Sequence, residues 1–292
     1  MNKPVVVYDA SNSDRLSVSA WPHMVREFRD SRELIRRLVQ RNFSAQFRQS
    51  FLGYLWVVLP PVATTLVFAL LRQAEIVNVP MGEGRMPYVL FALLGTTIWG
   101  FFTQLTMMAT GSIANAGSLV SKVYFPREVL VVSAAGNAVI NFIIRLGVVA
   151  LTLLFVRYLP HPAALLVPVA LLPMVALALG LGLFFAPINT MMSDMGRLLE
   201  FAFQFGLFLA PTVYPTPPAP WVHDGGTWST AIYWLHMLNP VSHFLYAAHS
   251  LIEHGTLLLT PGYLISSLFS LLVLLMGWRF FHVCEPLLAE RL

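Results

Sequence analysis

The charged residues that lie inside or beside apolar segments are the first candidates for chemistry in this chain. Arg145 stands within the apolar run NFIIRLGVV. A charge at the centre of a membrane-spanning helix costs about 3 kcal/mol or more, so Arg145 must face protein or water. Two roles stay open for it. One is contact with a phosphate or another anionic group on a transport path, and the other is a structural partner such as Glu200 or a backbone carbonyl.

A second group of charges comprises Asp194, Arg197 and Glu200, whose helical spacing lets Arg197 reach either acid. This pattern favours a helix cap and a surface ion pair over catalysis. None of the eight histidines has the spacing of a helical metal site. The sequence also lacks an HExxH motif and a GxxxxGK[ST] phosphate loop. We therefore expect no enzymatic activity, no metal and no cofactor on this chain.

The elements that must position these residues are membrane helices. The chain has 292 residues, of which 57% are hydrophobic and 11% charged, whereas soluble domains carry about 25% charged residues. This much apolar surface requires a bilayer, whose core needs about 20 apolar residues per helix. We predict an all-α membrane protein with six transmembrane helices. The predicted spans are 53–71, 87–110, 129–156, 163–186, 198–214 and 260–281.

The placement of lysine and arginine predicts the orientation of these spans. With a cytoplasmic N-terminus and six spans, the cytoplasmic segments hold fourteen of the 18 basic residues and the outer segments hold three. Both termini are therefore predicted to be cytoplasmic. Half of the basic residues precede residue 53, which indicates a membrane-surface segment and argues against nucleic acid as a partner.

Residues 22–50 are predicted to form an amphipathic helix at the membrane interface. Asp30 and Glu33 fit a cap for a second helical piece that begins near Ser31. Helix packing on a partner protein is the alternative to contact with lipid headgroups. The apolar side comprises Met24, Phe28, Ile35, Leu38, Val39 and Phe43, and the basic side comprises Arg26, Arg37, Arg41 and Arg48.

Two connections between spans are unusual. Residues 111–128 form a helix-friendly cytoplasmic loop, and residues 215–258 form an outer segment that is too apolar for a simple loop. The outer segment contains two apolar stretches shorter than a span, which predicts re-entrant or interfacial helices. Trp221, Trp228 and Trp234 in this segment fit the level of the lipid headgroups.

Six short motifs occur in an order and spacing that are more specific than any one of them. They are QSFLGYLWVVLPPVATTLVF at 49–68, PYVLFALLGTTIW at 87–99, SKVYFPREVLVVSA at 121–134, SDMGR at 193–197, LAPTVYP at 209–215 and LNPVS at 238–242. With the amphipathic arm, this pattern resembles the permease subunit of type-2 ABC exporters of bacterial cell-surface polysaccharides. The closest resemblance is to O-antigen exporters, and it covers residues 24–282.

The resemblance implies a homodimeric permease in the bacterial inner membrane. Two ATPase subunits would dock on its cytoplasmic side and bind ATP and Mg. The substrate would be a glycan on a lipid carrier, typically undecaprenyl diphosphate, which crosses through a channel between the two protomers. The implied regions are a cytoplasmic tail (1–21), an interfacial arm (22–50), a transmembrane domain (51–285) with periplasmic gate helices between spans five and six, and a cytoplasmic C-terminus (286–292).

The resemblance also implies site residues. Residues 112–127 match the family's coupling helix, where the ATPase would bind. The best candidates for this contact are Ser121, Lys122, Tyr124, Phe125, Pro126 and Arg127. Candidates for the substrate path or its entrance are Arg41, Arg48, Arg145, Arg197, Trp99, Phe102 and Tyr214.

Several alternative functions stay open at this point. Gln46 and Phe47 replace a charged-aromatic pair that the family often has in its arm. Capsule, teichoic-acid, drug and small-lipid exporters share the fold and differ in substrate. A membrane-embedded transferase would need clustered acids or histidines at one membrane face, and the sequence offers no convincing cluster. An ATP-independent flippase usually needs more spans or visible repeats.

Overall fold

The computed structural model describes residues 20–46, 48, 50–77, 86–120, 126–217, 219, 226–257 and 259–291. These residues fold into helices and contain no strand. In chain order the helices are α1 Ala20–Asp30, α2 Arg32–Gln46, α3 Leu55–Gln73, α4 Tyr88–Val120, α5 Glu128–Val156, α6 Val167–Ala170, α7 Leu172–Met191, α8 Asp194–Gly206, α9 Thr227–Leu238, α10 Pro240–Glu253 and α11 Pro261–Arg291.

Five helical segments of the described chain are long and apolar enough to cross a bilayer. Their length and composition confirm the predicted all-α, multi-pass membrane protein. The fourth of them combines a 3₁₀ turn at Pro162–Leu166 with α6 and α7. The five segments are Leu55–Gln73, Tyr88–Ala116, Glu128–Val156, Pro162–Met191 and Pro261–Glu285.

The predicted span at residues 198–214 does not form one helix of spanning length. Helix α8 has 13 residues and ends at Gly206, and a single 3₁₀ turn, Leu207–Leu209, follows it. Pro211 has no backbone N–H with which to continue a helix. The hydroxyl of Thr212 instead donates to the Leu207 carbonyl at 2.7 Å. A count of apolar residues misses this interruption, because the segment stays apolar through it.

The second span is longer than predicted, because α4 continues to Val120. The first ten residues of the predicted helix-friendly loop at 111–128 therefore belong to α4, and Ser112 and Ile113 among them are buried. At a rise of 1.5 Å per residue, the 33 residues of α4 extend about 50 Å, beyond a hydrocarbon core of about 30 Å. Helix α4 is therefore longer than one crossing requires.

The N-terminal arm consists of α1 and α2, with the predicted break at Ser31. Leu38 of α2 is buried against Val129 and Leu130 at the start of α5. The side chain of Val39, also in α2, lies close to Gly136 in α5. Part of the apolar side of α2 therefore packs on this chain's own membrane helices. We call this end of the helix bundle the arm end.

The last helix returns to the arm end. Arg127, which precedes α5, donates from Nη1 to the carbonyl of Glu285 in α11 at 3.0 Å. Nearby, Nδ1 of His282 lies 3.4 Å from Oε1 of Glu128. These contacts place the C-terminal part of α11 beside the first turn of α5.

Helix α10 ends at the opposite end of the bundle. The backbone N–H of Met86, which precedes α4, donates to Oε1 of Glu253 at 3.2 Å. The N–H of His161, which precedes α6, donates to the Ile252 carbonyl at 3.0 Å. The end of α10 therefore lies with the start of α4, away from the arm end.

Helices α7 and α11 cross at two glycines. A Cβ on Gly180 would lie 2.6 Å from backbone atoms of Leu274, and a Cβ on Gly277 would meet the Gly180 carbonyl. Membrane helices associate mainly through close packing, and small residues allow their backbones to approach. This crossing requires both positions to lack a side chain.

We expect Gly277→Ala to lower the stability of the protein, because the added methyl group would collide with the backbone of α7. Overpacking of this kind costs about 1–3 kcal/mol. The measurement is the apparent melting temperature of the detergent-purified protein. Gly147→Ala in α5 is the control, since a Cβ there meets nothing within 4 Å. Equal melting temperatures for the two variants would show that the crossing is not tight.

Candidate functional site

The intramembrane charge Arg145 binds a backbone carbonyl of another membrane helix. Arg145 is 8% exposed, and its Nε donates to the carbonyl oxygen of Val57 in α3 at 2.9 Å. In a regular helix that carbonyl would accept from the N–H of residue 61. Residue 61 is a proline and has no N–H to donate. Arg145 thus satisfies a carbonyl that Pro61 leaves free.

Helix α4 makes room for the guanidinium group. Nη1 of Arg145 lies 3.0 Å from the position that a Cβ of Gly100 would occupy. A larger residue at position 100 would press on this group. Arg145 therefore lies at a point where α3, α4 and α5 meet, and its charge contacts protein as predicted.

Arg145 ends a polar stripe on α5, which lies opposite a stripe on α4 whose polar members are Gln104 and Ser112. Residues four apart share one face of a helix. The α4 stripe runs antiparallel to the α5 stripe, with Gly100 opposite Arg145, and each extends about 18 Å. We call this pair of stripes the polar seam. Its residues are Ser133, Asn137, Asn141 and Arg145 on α5 and Gly100, Gln104, Met108 and Ser112 on α4.

Several amide groups of the polar seam are buried without a protein hydrogen bond in the described part of the chain. They are Oδ1 of Asn137, both polar side-chain atoms of Asn141 and Oε1 of Gln104. An unsatisfied buried polar atom costs about 1–3 kcal/mol. These amides were not predicted, although the four-residue spacing of Asn137, Asn141 and Arg145 on α5 was an available signal.

The predicted coupling residues lie only partly within the described chain. Ser121, Lys122, Tyr124 and Phe125 fall outside it. Pro126 and Arg127 are described and partly buried. Besides its side-chain bond to α11, Arg127 donates its backbone N–H to Oε1 of Glu285 at 3.4 Å. Arg127 therefore connects the predicted coupling segment to the last helix.

The other predicted arginines are exposed. Arg41 lies in α2 and Arg48 follows this helix. Arg41 donates to Oδ1 of its neighbour Asn42 at 3.1 Å. Arg197 forms an ion pair with Asp194 at 3.1 Å, in which both side chains are about four-fifths exposed. Such an exposed pair contributes little to stability. Glu200, the third member of the predicted cluster, is also exposed on α8.

The predicted aromatic residues of α4 pack inside one chain. Trp99 and Phe102 are 6% and 4% exposed. The indole Nε1 of Trp99 donates to the Phe203 carbonyl of α8 at 3.2 Å. The ring of Phe102 meets the ring of Phe203 edge-on, with centroids 5.6 Å apart. These two residues fasten α8 to α4.

Tyr214 lies where the segment after α8 meets α9. Its hydroxyl donates to the Phe208 carbonyl, and its ring stacks on His236 with centroids 5.5 Å apart. Nδ1 of His236 lies 3.2 Å from the hydroxyl of Thr216. Burial lowers the pKa of His236 to about 4, so this imidazole is neutral at physiological pH. Among the described residues, no three metal-ligating side chains form a candidate metal site.

Comparison with known proteins identifies the family. The family model of the ABC-2 type transporter matches residues 33–252, about three quarters of the chain. This chain belongs to the ABC-2 type transporter family. The predicted resemblance to type-2 ABC permeases is thereby confirmed, and the match includes the whole polar seam.

Relatives extend this result to O-antigen permeases. The chain is 29% identical over 192 residues to the O-antigen export system permease protein RfbA of Myxococcus xanthus. The alignment covers 66% of this chain and 72% of the relative. It is 22% identical over 231 residues to the protein of the same name from Klebsiella pneumoniae, in an alignment that covers 77% of this chain and 82% of that relative. The likeness to O-antigen export permeases is confirmed.

We expect Arg145→Leu to destabilise the permease by about 1–3 kcal/mol, because the Val57 carbonyl then has no donor in the membrane. Pro61→Ala should rescue part of this loss, since the restored N–H at position 61 lets that carbonyl bond within α3. The measurement is a double-mutant cycle on the apparent melting temperature.

Pro60→Ala is the matched control for this cycle. It restores an N–H for the Trp56 carbonyl, which lies one residue before the acceptor of Arg145, so it should give no rescue. The role assigned to Arg145 would be contradicted if Arg145→Leu lowered the melting temperature equally in the intact protein and in the Pro61→Ala variant.

Proposed function

We propose that this chain is the membrane subunit of an ATP-driven exporter that moves a polysaccharide of the O-antigen type, attached to a lipid carrier, across the inner membrane. The observation that carries the proposal is the family match over residues 33–252, together with relatives named as O-antigen export permeases. The chain would work as a pair of copies with two ATPase subunits, which bind ATP and Mg.

The positions of the helix ends support a sixth crossing between α7 and α11. Helix α8 begins three residues after the end of α7, and α10 ends away from the arm end. Between them, the chain follows α4 in the reverse direction. Phe203 contacts Trp99, and further along the Val213 carbonyl accepts from the hydroxyl of Tyr88 at 3.0 Å.

The length of this segment supports the same topology. The 13 residues of α8 extend about 20 Å, and the three-residue 3₁₀ turn adds about 6 Å. The turn that follows continues to Val213, which contacts Tyr88 at the first residue of α4, so the segment reaches across a core of about 30 Å. We propose six crossings with an interrupted fifth span, which leave both termini on the cytoplasmic side.

Helices α9 and α10 fit the proposed periplasmic gate. They have 12 and 14 residues, which is too short to span. Their junction is a capped turn, in which Oδ1 of Asn239 accepts from the Val241 N–H at 3.0 Å and Pro240 begins α10. We propose that this re-entrant pair closes the outer end of the path.

The contacts of Arg127 support a coupling role for residues 121–127. A partner ATPase that moves this segment would act on α5, which follows it directly, and on α11 through Glu285. The buried contact between His282 and Glu128 joins the same two helices. We propose that ATP binding shifts α5 and α11 together. The arm at 22–50 would lie at the cytoplasmic membrane surface, between the tail (1–21) and the transmembrane domain (51–285).

The outward side of α8 is suited to a glycan path between two copies. Phe201 and Phe205 are 62% and 52% exposed, and their ring centroids lie 4.8 Å apart. Phe203, on the other side of α8, packs on α4. Aromatic faces stack on sugar rings, so we propose that the exposed pair faces the channel, with Arg41, Arg48 and Arg197 near its cytoplasmic entrance.

Deletion of this chain should remove the polysaccharide from the cell surface and cause lipid-linked glycan to accumulate inside. The measurements are surface glycan by gel and antibody, and intracellular lipid-linked glycan after extraction. Re-expression of the intact chain is the control and should restore both. Normal surface glycan after deletion would refute the proposed substrate and favour a drug or small-lipid exporter of the same fold.

A further inference from the structure

A cavity of about 210 Å³ lies where α2 covers the arm end of the polar seam. Its walls come from α2, α4 and α5, and no acidic residue lines it. Water occupies about 30 Å³ per molecule in the liquid, so the cavity has room for a phosphate group with one attached small alcohol or part of a sugar. Its polar lining consists of Arg41, Asn42, Ser112, Asn115, Ser133 and Asn137.

The inner end of the cavity contains a buried amide with unused bonding capacity. Asn137 is 6% exposed, and its Oδ1 has no hydrogen-bond partner among the described residues. The adjacent hydroxyls of Ser112 and Ser133 donate to carbonyls of their own helices, which leaves their oxygens free to accept. This end of the cavity therefore offers acceptors for hydroxyl groups.

The mouth of the cavity carries positive charge. Arg41 and Asn115 are both exposed, and the guanidinium group of Arg41 has five N–H donors, some of which bond Asn42. Guanidinium groups match the geometry of phosphate oxygens. With amides beside it and no carboxylate in the lining, this mouth selects an anion over a cation.

The two ends together specify the chemistry of a ligand: a phosphate ester that also carries hydroxyl groups. In the proposed orientation, the cavity lies at the cytoplasmic membrane surface, where lipid phosphates are concentrated. We propose that it binds the phosphate headgroup of a lipid, with Arg41 on the phosphate and Asn137 on a headgroup hydroxyl. The inference deepens the proposed function and rests on it for the orientation, and the site lies within one chain.

Binding of defined lipids to the purified permease tests this site. The probes are phosphatidylglycerol, undecaprenyl phosphate and, as a zwitterionic comparison, phosphatidylcholine, each added to delipidated protein and counted by native mass spectrometry. Arg41→Gln should weaken binding of at least one anionic lipid by about tenfold, the loss expected from one charge-assisted hydrogen bond. Asn137→Leu should weaken binding of phosphatidylglycerol, whose headgroup carries hydroxyls, by about fivefold, because it removes a neutral hydrogen bond. Phosphatidylcholine binding should stay unchanged.

The control variant is Arg37→Gln, about one turn earlier on α2. Arg37 forms an exposed ion pair with Glu33 at 3.0 Å and is not part of the cavity lining, so lipid binding should persist. Asn137→Leu removes an amide oxygen that has no partner in the described part of the chain, so the melting temperature of this variant should equal or exceed that of the intact protein. Because Arg41 is exposed, Arg41→Gln tests the site even if the Asn137 variant fails to fold.

The outcomes distinguish a site for anionic lipids in general from a site for the lipid carrier. They also distinguish failure of the lipid-site proposal from failure of the proposed export function. Equal losses for phosphatidylglycerol and undecaprenyl phosphate indicate a general anionic-lipid site, whereas a loss confined to undecaprenyl phosphate indicates a carrier site. Unchanged binding in Arg41→Gln, or an equal loss in Arg37→Gln, would overturn the inference. Preserved lipid binding in a chain whose deletion leaves surface glycan normal would refute the proposed substrate and leave the lipid site intact.

Discussion

The bond between Arg145 and the Val57 carbonyl follows from the constraint that governs the whole bundle. Hydrocarbon offers no water to backbone groups, so every N–H and C=O within it needs a partner in the protein. Pro61 frees a carbonyl inside α3, and Arg145 of α5 reaches across to satisfy it. The charge and the carbonyl would each be costly alone. Their pairing fixes how α3 lies on α4 and α5.

Other helices of the bundle are held together by close packing of their backbones, without a charged group. Gly180 and Gly277 let the backbones of α7 and α11 approach closely. The Trp99 indole of α4 donates a hydrogen bond to the Phe203 carbonyl of α8. The polar seam is the exception, because its amides have more bonding capacity than the described chain uses. Groups of this kind reduce stability. Asn137, one of these amides, lines a cavity, and this position points to a binding role.

Sequence patterns predicted the features that depend on composition alone. Spans such as 129–156 are long uninterrupted apolar runs, and the structure reproduces this one within a residue. The interruption after Gly206 depends on local backbone bonds that hydropathy does not register. The unsatisfied amides of Asn137 and Asn141 were not predicted, because their partners depend on how α4 and α5 align. The partner of Arg145 was open for the same reason, since the sequence allowed an anionic group on a transport path as well as a structural partner such as Glu200 or a backbone carbonyl.

The central claim is that the chain passes from the arm end to the opposite end between α7 and α11. Single cysteines at Met192 and His254, in a Cys284→Ala background, test it with a membrane-impermeant maleimide on spheroplasts. Both positions are exposed outside the five candidate spans. With this topology, the cysteine at 254 reacts in intact spheroplasts and the cysteine at 192 reacts only after permeabilisation. Reaction of both from the same side would contradict it.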